Sequence, residues 1–509
     1  MKEHNKIILK NTIAQYIRII ISAVLAILSS RYVLHSLGVE DYGLFSVVAG
    51  FVTLFGFLNN SLLVSVQRFI SYEIPAQNID SINKIYSASI FIHIILAIIV
   101  LLFSETLGAY FLKTKMQFPD GQLNSAILVF HCVVISFVFN IISIPQQAVL
   151  VAFEKIYIFS LVGIIEAVLK FVCALSLQYY SGNRLVFYSI TFLSISVIIR
   201  LLYALIIKRN YKFLKNTIIP EKGYVKRLFS FAGWNTFGAI ANLGKIQGVN
   251  VLLNMFFGTA INAAYGLANQ LNSQFVFFQS SIFQSSNSQI VQSYRLGDTK
   301  RLSNLVDQTS KYAFIIFATV TLSVWVCTDD LLYLWLNDVP GYCNVFVRLM
   351  ILNSCIELFS TPLMYIVQAS GNIKSYFILI SIIMLLILPI SYLALRLGAE
   401  PSVVLFVTIF INSILLAIRL NYIHCKVGYN TFGYIRKVIL PSALVMTISL
   451  ISLPYLYSLF DNVIYKVLIS LFISPITIIT LSIFIIFTKN DRLQISLYVK
   501  KIIAKIIRN

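Results

Sequence analysis

The chain has 509 residues, 59% of them hydrophobic and only 11% charged, with a formal net charge of +20. Soluble domains are about 25% charged, so the composition excludes a soluble fold and requires a polytopic membrane protein. It also argues against a nucleic-acid partner, because the lysines and arginines sit in short connections between apolar runs, with no basic, aromatic-interleaved polar domain.

At about 20 residues per span, the apolar runs predict fourteen helices. They lie near 12–33, 43–66, 85–107, 123–148, 156–178, 184–207, 229–253, 256–282, 312–328, 343–368, 375–395, 402–422, 438–457 and 464–487. The first run is too long for a signal-peptide core and lacks an A-x-A cleavage site, so it reads as a retained helix. Pro145, Pro362, Pro389, Pro441, Pro454 and Pro475 fall inside or at the edges of spans, where neighbouring helices tolerate them. One alternate set of connections holds Lys2, Lys6, Lys10, Arg68, Lys84, the Lys208–Arg227 stretch, Arg295, Lys300, Lys426, Arg436 and the basic tail. The other holds Glu40, Asp41, Asp120, Asp329, Asp330, Asp338, Glu400 and Asp461. The positive-inside rule makes the first set cytoplasmic. Both termini are then cytoplasmic, which an even number of spans satisfies.

The Lys208–Arg227 connection divides two similar stretches. Asn11-Thr12, Gly38, Tyr42-Gly43-Leu44 and Ser71-Tyr72 are matched in order by Asn235-Thr236, Gly258, Tyr265-Gly266-Leu267 and Ser293-Tyr294. The intervals are 31 and 30 residues in the first stretch, 30 and 29 in the second. This predicts a duplicated six-helix unit. Six is even, so the copies are parallel repeats about an axis along the membrane normal. The expected organisation is a first bundle over 1–210, a cytoplasmic linker over 211–228 and a second bundle over 229–425. Two extra helices and a tail then fill 426–509.

A cation in hydrocarbon costs roughly 2.5–3.5 kcal/mol on insertion scales and usually faces a bundle interior or wet cavity. Lys170 and Lys245 lie near the middle of spans; Arg18, Arg200, Arg348 and Arg419 lie nearer the ends. Arg18 and Lys245 stand seven and ten residues after Asn11 and Asn235, about one turn apart on equivalent helices. Either they face a central cleft, or Arg18 snorkels and Lys245 has a partner among Asn242, Gln247 and Asn250. Glu166 and Lys170 share a helix face at i, i+4, as a neutral pair or a functional site. Glu357, a lone carboxyl deep in span ten, is either protonated or an ion-coupling site. Arg200 and Arg419 read as interfacial. Spans seven and eight are dense in amides, from Asn235 to Gln279, and suit a hydrated wall or interhelical bonding.

Six cysteines without a C-x-x-C support neither a metal nor a redox site. Most read as small apolar fillers, although Cys327 and Cys343 flank one loop and could pair. The five histidines are scattered, there is no P-loop, and no outer loop exceeds about fifteen residues, so no catalytic residue and no cofactor are expected.

Arg31 followed by Leu37-Gly38-Val39-Glu40-Asp41-Tyr42-Gly43-Leu44 resembles the span one–two signature of polysaccharide flippases. Gln67-Arg68-Phe69, Trp234-Asn235, Phe257-Gly258 and Ala264-Tyr265-Gly266 resemble that family's further landmarks. The chain is thus similar over nearly its whole length to Wzx-type O-antigen and capsule flippases. Their superfamily includes MATE drug exporters and the peptidoglycan lipid II flippase. The resemblance implies a MATE-like fold in a bacterial inner membrane and a monomeric carrier. It implies an undecaprenyl-pyrophosphate-linked oligosaccharide moved outward by alternating access, among membrane lipids, a polymerase and chain-length proteins as partners. It also implies a cationic cavity. Arg18 and Lys245 match that pattern by helix and depth, and Arg31 matches the motif itself. Lys170 and Arg348 complete the candidate substrate ligands, with Glu357 and Glu166 as candidate coupling carboxylates. A drug exporter of the same fold, or a membrane glycosyl polymerase or ligase, is the alternative; the first needs an acidic or aromatic cavity, the second a large outer loop.

Overall fold

The computed structural model describes residues 2–53, 56–108, 110, 123–214, 220–336, 339–457, 463–487 and 492. Most of the basic tail, with Asp120, Lys215, Asp338 and Asp461, lies outside them. Among the described residues every regular element is a helix. The chain forms two compact units, Met1–Ile240 and Ala241–Asn509.

The first unit holds α1 (Lys2–Thr53), α2 (Gly56–Glu73), α3 (Ile79–Phe103), α4 (Leu123–Ala152), α5 (Ile156–Ser176), α6 (Arg184–Asn210) and the start of α7 (Lys222–Arg295). Asn78 and Asn183 cap α3 and α6, their side-chain oxygens accepting from the amides of Ser81 and Val186 at 3.1 Å. Ile70, Ile85, Ile92, Leu150, Val162 and Ile199 join five helices in one apolar core.

The second unit takes the rest of α7, then α8 (Thr299–Val326), α9 (Thr328–Leu336), α10 (Cys343–Ser370), α11 (Lys374–Leu385), α12 (Ile387–Arg396) and α13 (Val403–Val427). It closes with α14 (Thr431–Tyr434), α15 (Leu440–Tyr457) and α16 (Val463–Ile485). Packing inside the two units runs in parallel. α4 packs on α3 and α6, and α10 packs on α8 and α13. The last two long helices, α15 and α16, pack on each other and on α8.

Two glycines shape the long helices. Gly38 in α1 (φ 79°, ψ 173°) and Gly258 in α7 (φ 76°, ψ −168°) adopt the same conformation, one closed to residues with a Cβ. A straight 74-residue α7 would run about 110 Å, against a hydrocarbon core about 30 Å thick. Gly258 divides it into arms of about 55 Å. The sequence pairs these same two glycines, so the duplication extends to backbone torsions.

Eleven helices among the described residues are long and apolar enough to cross a membrane, making this a multi-pass membrane protein. The expected spans 229–253 and 256–282, and the described residues of 43–66, are helical but are not among the eleven. The last two lie in amide-rich α7, whose Asn and Gln side chains dilute its apolar character. Span eleven is two helices, α11 and α12. Pro389 removes the hydrogen bond to the Leu385 carbonyl and clashes with it, so the helix breaks at Leu386. Pro441 does the same to Lys437, inside a π turn over Ile435–Ile439. Cys327 and Cys343 are both buried and free, so the possible disulfide is absent.

Candidate functional site

Each unit gathers ionisable side chains within its helices. In the first, Asn11, Gln15 and Arg18 stand at i, i+4 and i+7, on one face of α1. Asn11 fixes that face against the α4–α5 turn: its Nδ2 donates to the Glu154 carbonyl at 2.8 Å, and its Oδ1 accepts from the Tyr157 amide at 3.2 Å. Two turns on, Arg18 lies against α5, with its guanidinium carbon 4.7 Å from the Phe159 ring centroid. Tyr203 and Glu166 are within its electrostatic reach. No hydrogen bond to Arg18 occurs among the described residues.

Glu166 is bonded to Lys170, Nζ to Oε1 at 2.6 Å, and Lys170 also lies 5.1 Å from the Phe192 ring centroid. Arg18, Glu166 and Lys170 therefore form one group on α1 and α5, with two cations to one carboxylate. That excess of one positive charge suits an anion.

In the second unit, Ala241, Lys245, Val249 and Leu253 form a buried stripe along α7. Lys245 is only 8% exposed. Its partner is none of the expected Asn242, Gln247 and Asn250. It is Glu357 on α10, with Nζ 3.5 Å from Oε1. The same oxygen accepts from Asn412 Nδ2 at 2.9 Å and Asn353 Nδ2 at 3.4 Å, and Asn412 also donates to Asn353 Oδ1 at 2.6 Å. Glu357 is thus not a lone carboxyl but the centre of a three-helix network. Burying a cation demands such partners.

Counted from the paired glycines, Arg18 is 20 residues before Gly38 and Lys245 is 13 before Gly258. They differ in depth by seven residues, about two turns instead of the expected one. The glycine torsions give a firmer register than the Asn-Thr pairs. Indeed Asn235 does not copy Asn11; its Nδ2 donates to Ser65 Oγ at 3.3 Å.

The remaining candidates lie apart. Arg348 donates to Asp329 Oδ2 at 2.7 Å, while Asn344 donates to Asp329 Oδ1 at 2.8 Å, tying α10 to α9. Arg31 is exposed near the kink. Arg200, near the end of α6, has a partner within the helices. Gln146, with its amide oriented to satisfy both ends, accepts from both Arg200 Nη atoms at 3.3 Å, so α4 and α6 are bound together. Arg419, on α13, lies beside Tyr376 of α11. The interval from Arg200 to Arg419 is 219 residues, against 220 from Gly38 to Gly258, a repeat signal present in the sequence. No group of His, Cys, Asp and Glu able to hold a metal occurs among the described residues.

The family model described as polysaccharide biosynthesis protein matches residues 8–286. A second, MatE, matches residues 247–393. No curated protein matches the chain. Among solved structures, an outward-facing multidrug resistance MATE family transporter of the MOP superfamily superposes with a TM-score of 0.73 at 14% identity, over 84% of this chain and 96% of that one. A MOP superfamily transporter from Pyrococcus furiosus, described as having a reversed binding-pocket polarity that suggests a different function, gives 0.71 at 15% identity over the same shares. A MATE in a bent conformation gives 0.73 at 15% identity, again over 84% and 96%. These likenesses make the fold MATE-like.

Proposed function

The chain belongs to the polysaccharide biosynthesis protein family and has the MATE-like fold of MOP superfamily transporters, and from this premise we propose that it flips a lipid-linked oligosaccharide. The cargo is an undecaprenyl-pyrophosphate oligosaccharide, moved from the cytoplasmic to the outer leaflet of a bacterial inner membrane by alternating access. The two bundles are 1–210 and 229–425, and both termini are cytoplasmic. No step of covalent chemistry is required, since both leaflets receive the same molecule.

The observation that carries this reading is Arg18. A half-buried guanidinium with none of its hydrogen bonds made among the described residues is an open site for a phosphoanion. Lys170 adds a second cation farther along the same face of α5. Lys245 binds the pyrophosphate only if it leaves Glu357, so the network on α10 and α13 competes with cargo. The amides along α7 serve the sugar hydroxyls.

The MatE match over residues 247–393 favours a second reading, a drug exporter. A cationic drug needs an acidic or aromatic site, and the first unit's cluster carries excess positive charge. Deleting the gene separates the two. Loss of surface polysaccharide, with its lipid-linked precursor accumulating inside, supports the flippase. Unchanged polysaccharide with a gain in drug susceptibility supports the exporter.

A further inference from the structure

Phe159, Gly163, Glu166 and Lys170 stand at i, i+4, i+7 and i+11 on α5, so one helix face carries an aromatic, a gap, a carboxylate and an ammonium in order. Arg18 of α1 crosses that face at the gap. A Cβ at position 163 would fall 2.7 Å from Arg18 Cδ, 3.5 Å from Cγ and 3.5 Å from Nη1. Real Cβ contacts do not reach 2.7 Å, so the Arg18 stem lies where any other residue at 163 would put an atom. The Phe159 ring then faces the guanidinium at 4.7 Å.

The second unit has a glycine-relieved contact without a charge. There Gly248 of α7 faces Leu388 of α12, with a built Cβ 2.5 Å from Leu388 Cδ2. The glycine stands on the other helix of the pair, at the depth of position 28 in the Gly38/Gly258 register, and the side chain it admits is apolar. The first unit uses the same packing device on an arginine, at the expense of keeping a cation in a crowded helix contact. Packing alone does not call for a guanidinium there.

We propose that Gly163 and Phe159 form a slot that aims Arg18 at a phosphoanion, with Gly163 as the positioning residue. The inference rests on the reading of Arg18 as an anion ligand. The slot holds the flexible stem flat against α5 and lays the ring over one face of the guanidinium. The N–H edge is left to the ligand. Glu166 does not take that edge: its Oε1 accepts from Lys170 at 2.6 Å, and no hydrogen bond joins it to Arg18 among the described residues. A planar five-donor group with its stem immobilised loses less entropy on binding a phosphate than a free one does. The phosphoanion is the pyrophosphate of a lipid-linked sugar or the phosphate of an anionic phospholipid; the chemistry at Arg18 is shared.

The test uses the full chain in phosphatidylcholine nanodiscs. Inorganic pyrophosphate is titrated against wild type, Gly163→Ala, Arg18→Ala and the double variant, and thermal unfolding is followed in parallel. Gly163→Ala should weaken pyrophosphate binding about tenfold, the scale of one charge-assisted hydrogen bond. The double variant should bind no more weakly than Arg18→Ala alone, because the alanine at 163 then meets no Cδ. Gly248→Ala is the control: it should lower thermal stability and leave pyrophosphate binding unchanged. Wild-type affinity in Gly163→Ala, or losses that multiply in the double variant, would overturn the slot. If wild type ignores pyrophosphate but is stabilised by added phosphatidylglycerol, and Gly163→Ala abolishes that, the slot stands and the pyrophosphate-lipid reading fails. Stabilisation of wild type by neither ligand overturns the slot.

Discussion

Lys245 Nζ stands 3.5 Å from Glu357 Oε1, and that oxygen also takes the Asn412 amide at 2.9 Å. Two ionisable groups that the sequence shows 112 residues apart are thus one unit. Removing one partner leaves the other uncompensated. Lys245→Ala or Glu357→Leu should each lower stability by about 1–3 kcal/mol, a range kept below the fully buried case because the Glu357 side chain is 40% exposed. The double variant Lys245→Ala with Glu357→Leu should recover much of that loss. Thermal unfolding in detergent measures it, and additive losses in the double variant would contradict the pairing.

Transport should respond differently from stability. Lys245→Ala should abolish surface polysaccharide at normal protein levels, while Lys245→Arg should retain part of it. Full polysaccharide in the alanine variant would remove Lys245 from the substrate path.

The kink glycines allow a cleaner stability test. A Cβ at Gly38 or Gly258 would meet no atom within 4 Å, so alanine there is opposed by backbone conformation alone. Gly258→Ala should cost about 1–3 kcal/mol. Gly233, whose added Cβ likewise has open space and which sits mid-helix, should tolerate alanine or gain slightly. Equal effects at the two positions would argue against the strained torsion.

The thiols should sort by exposure. Cys425 is exposed, and the other five cysteines are buried. A maleimide should therefore label Cys425 in the folded protein and spare Cys327 and Cys343, and reducing agent should leave the unfolding temperature unchanged. A drop in that temperature on reduction would restore the disulfide.

Transport should depend on membrane potential. A pyrophosphate-linked cargo carries about two negative charges outward, and each gains roughly 2.3 kcal/mol per 100 mV of inside-negative potential. If the cationic clusters neutralise the cargo, the return of the emptied protein carries the dependence instead. A potassium–valinomycin potential without pH or sodium gradients should raise the flipping rate. An unchanged rate would turn attention to Glu166 and Glu357 as ion-coupling sites.

Fold class was legible because apolar run length and loop charge are local properties. The duplication was legible in the Gly38/Gly258 and Tyr-Gly pairs, since a required positive φ leaves glycine as its mark. The partner of Lys245 was not legible. Glu357, Asn353 and Asn412 are brought to it by the packing of α7, α10 and α13, and no local spacing encodes that. Glu166–Lys170 was legible, being an i, i+4 pair on one helix. The slot under Arg18 was hidden for the opposite reason: a glycine within an apolar helix looks unremarkable until the side chain crossing it is known. Arg200 and Arg419 carried a usable signal in their 219-residue interval, and helix-end proximity masked it.

The most direct measurement is flipping itself. Purified chain reconstituted into liposomes should move an undecaprenyl-pyrophosphate oligosaccharide between leaflets, read by access of an added glycosidase to the sugar. The wild type should flip it, and Arg18→Ala, folded and equally abundant, should not. Failure of the wild type to move this lipid, or full activity of the Arg18→Ala variant, would contradict a flippase built around a guanidinium anion site.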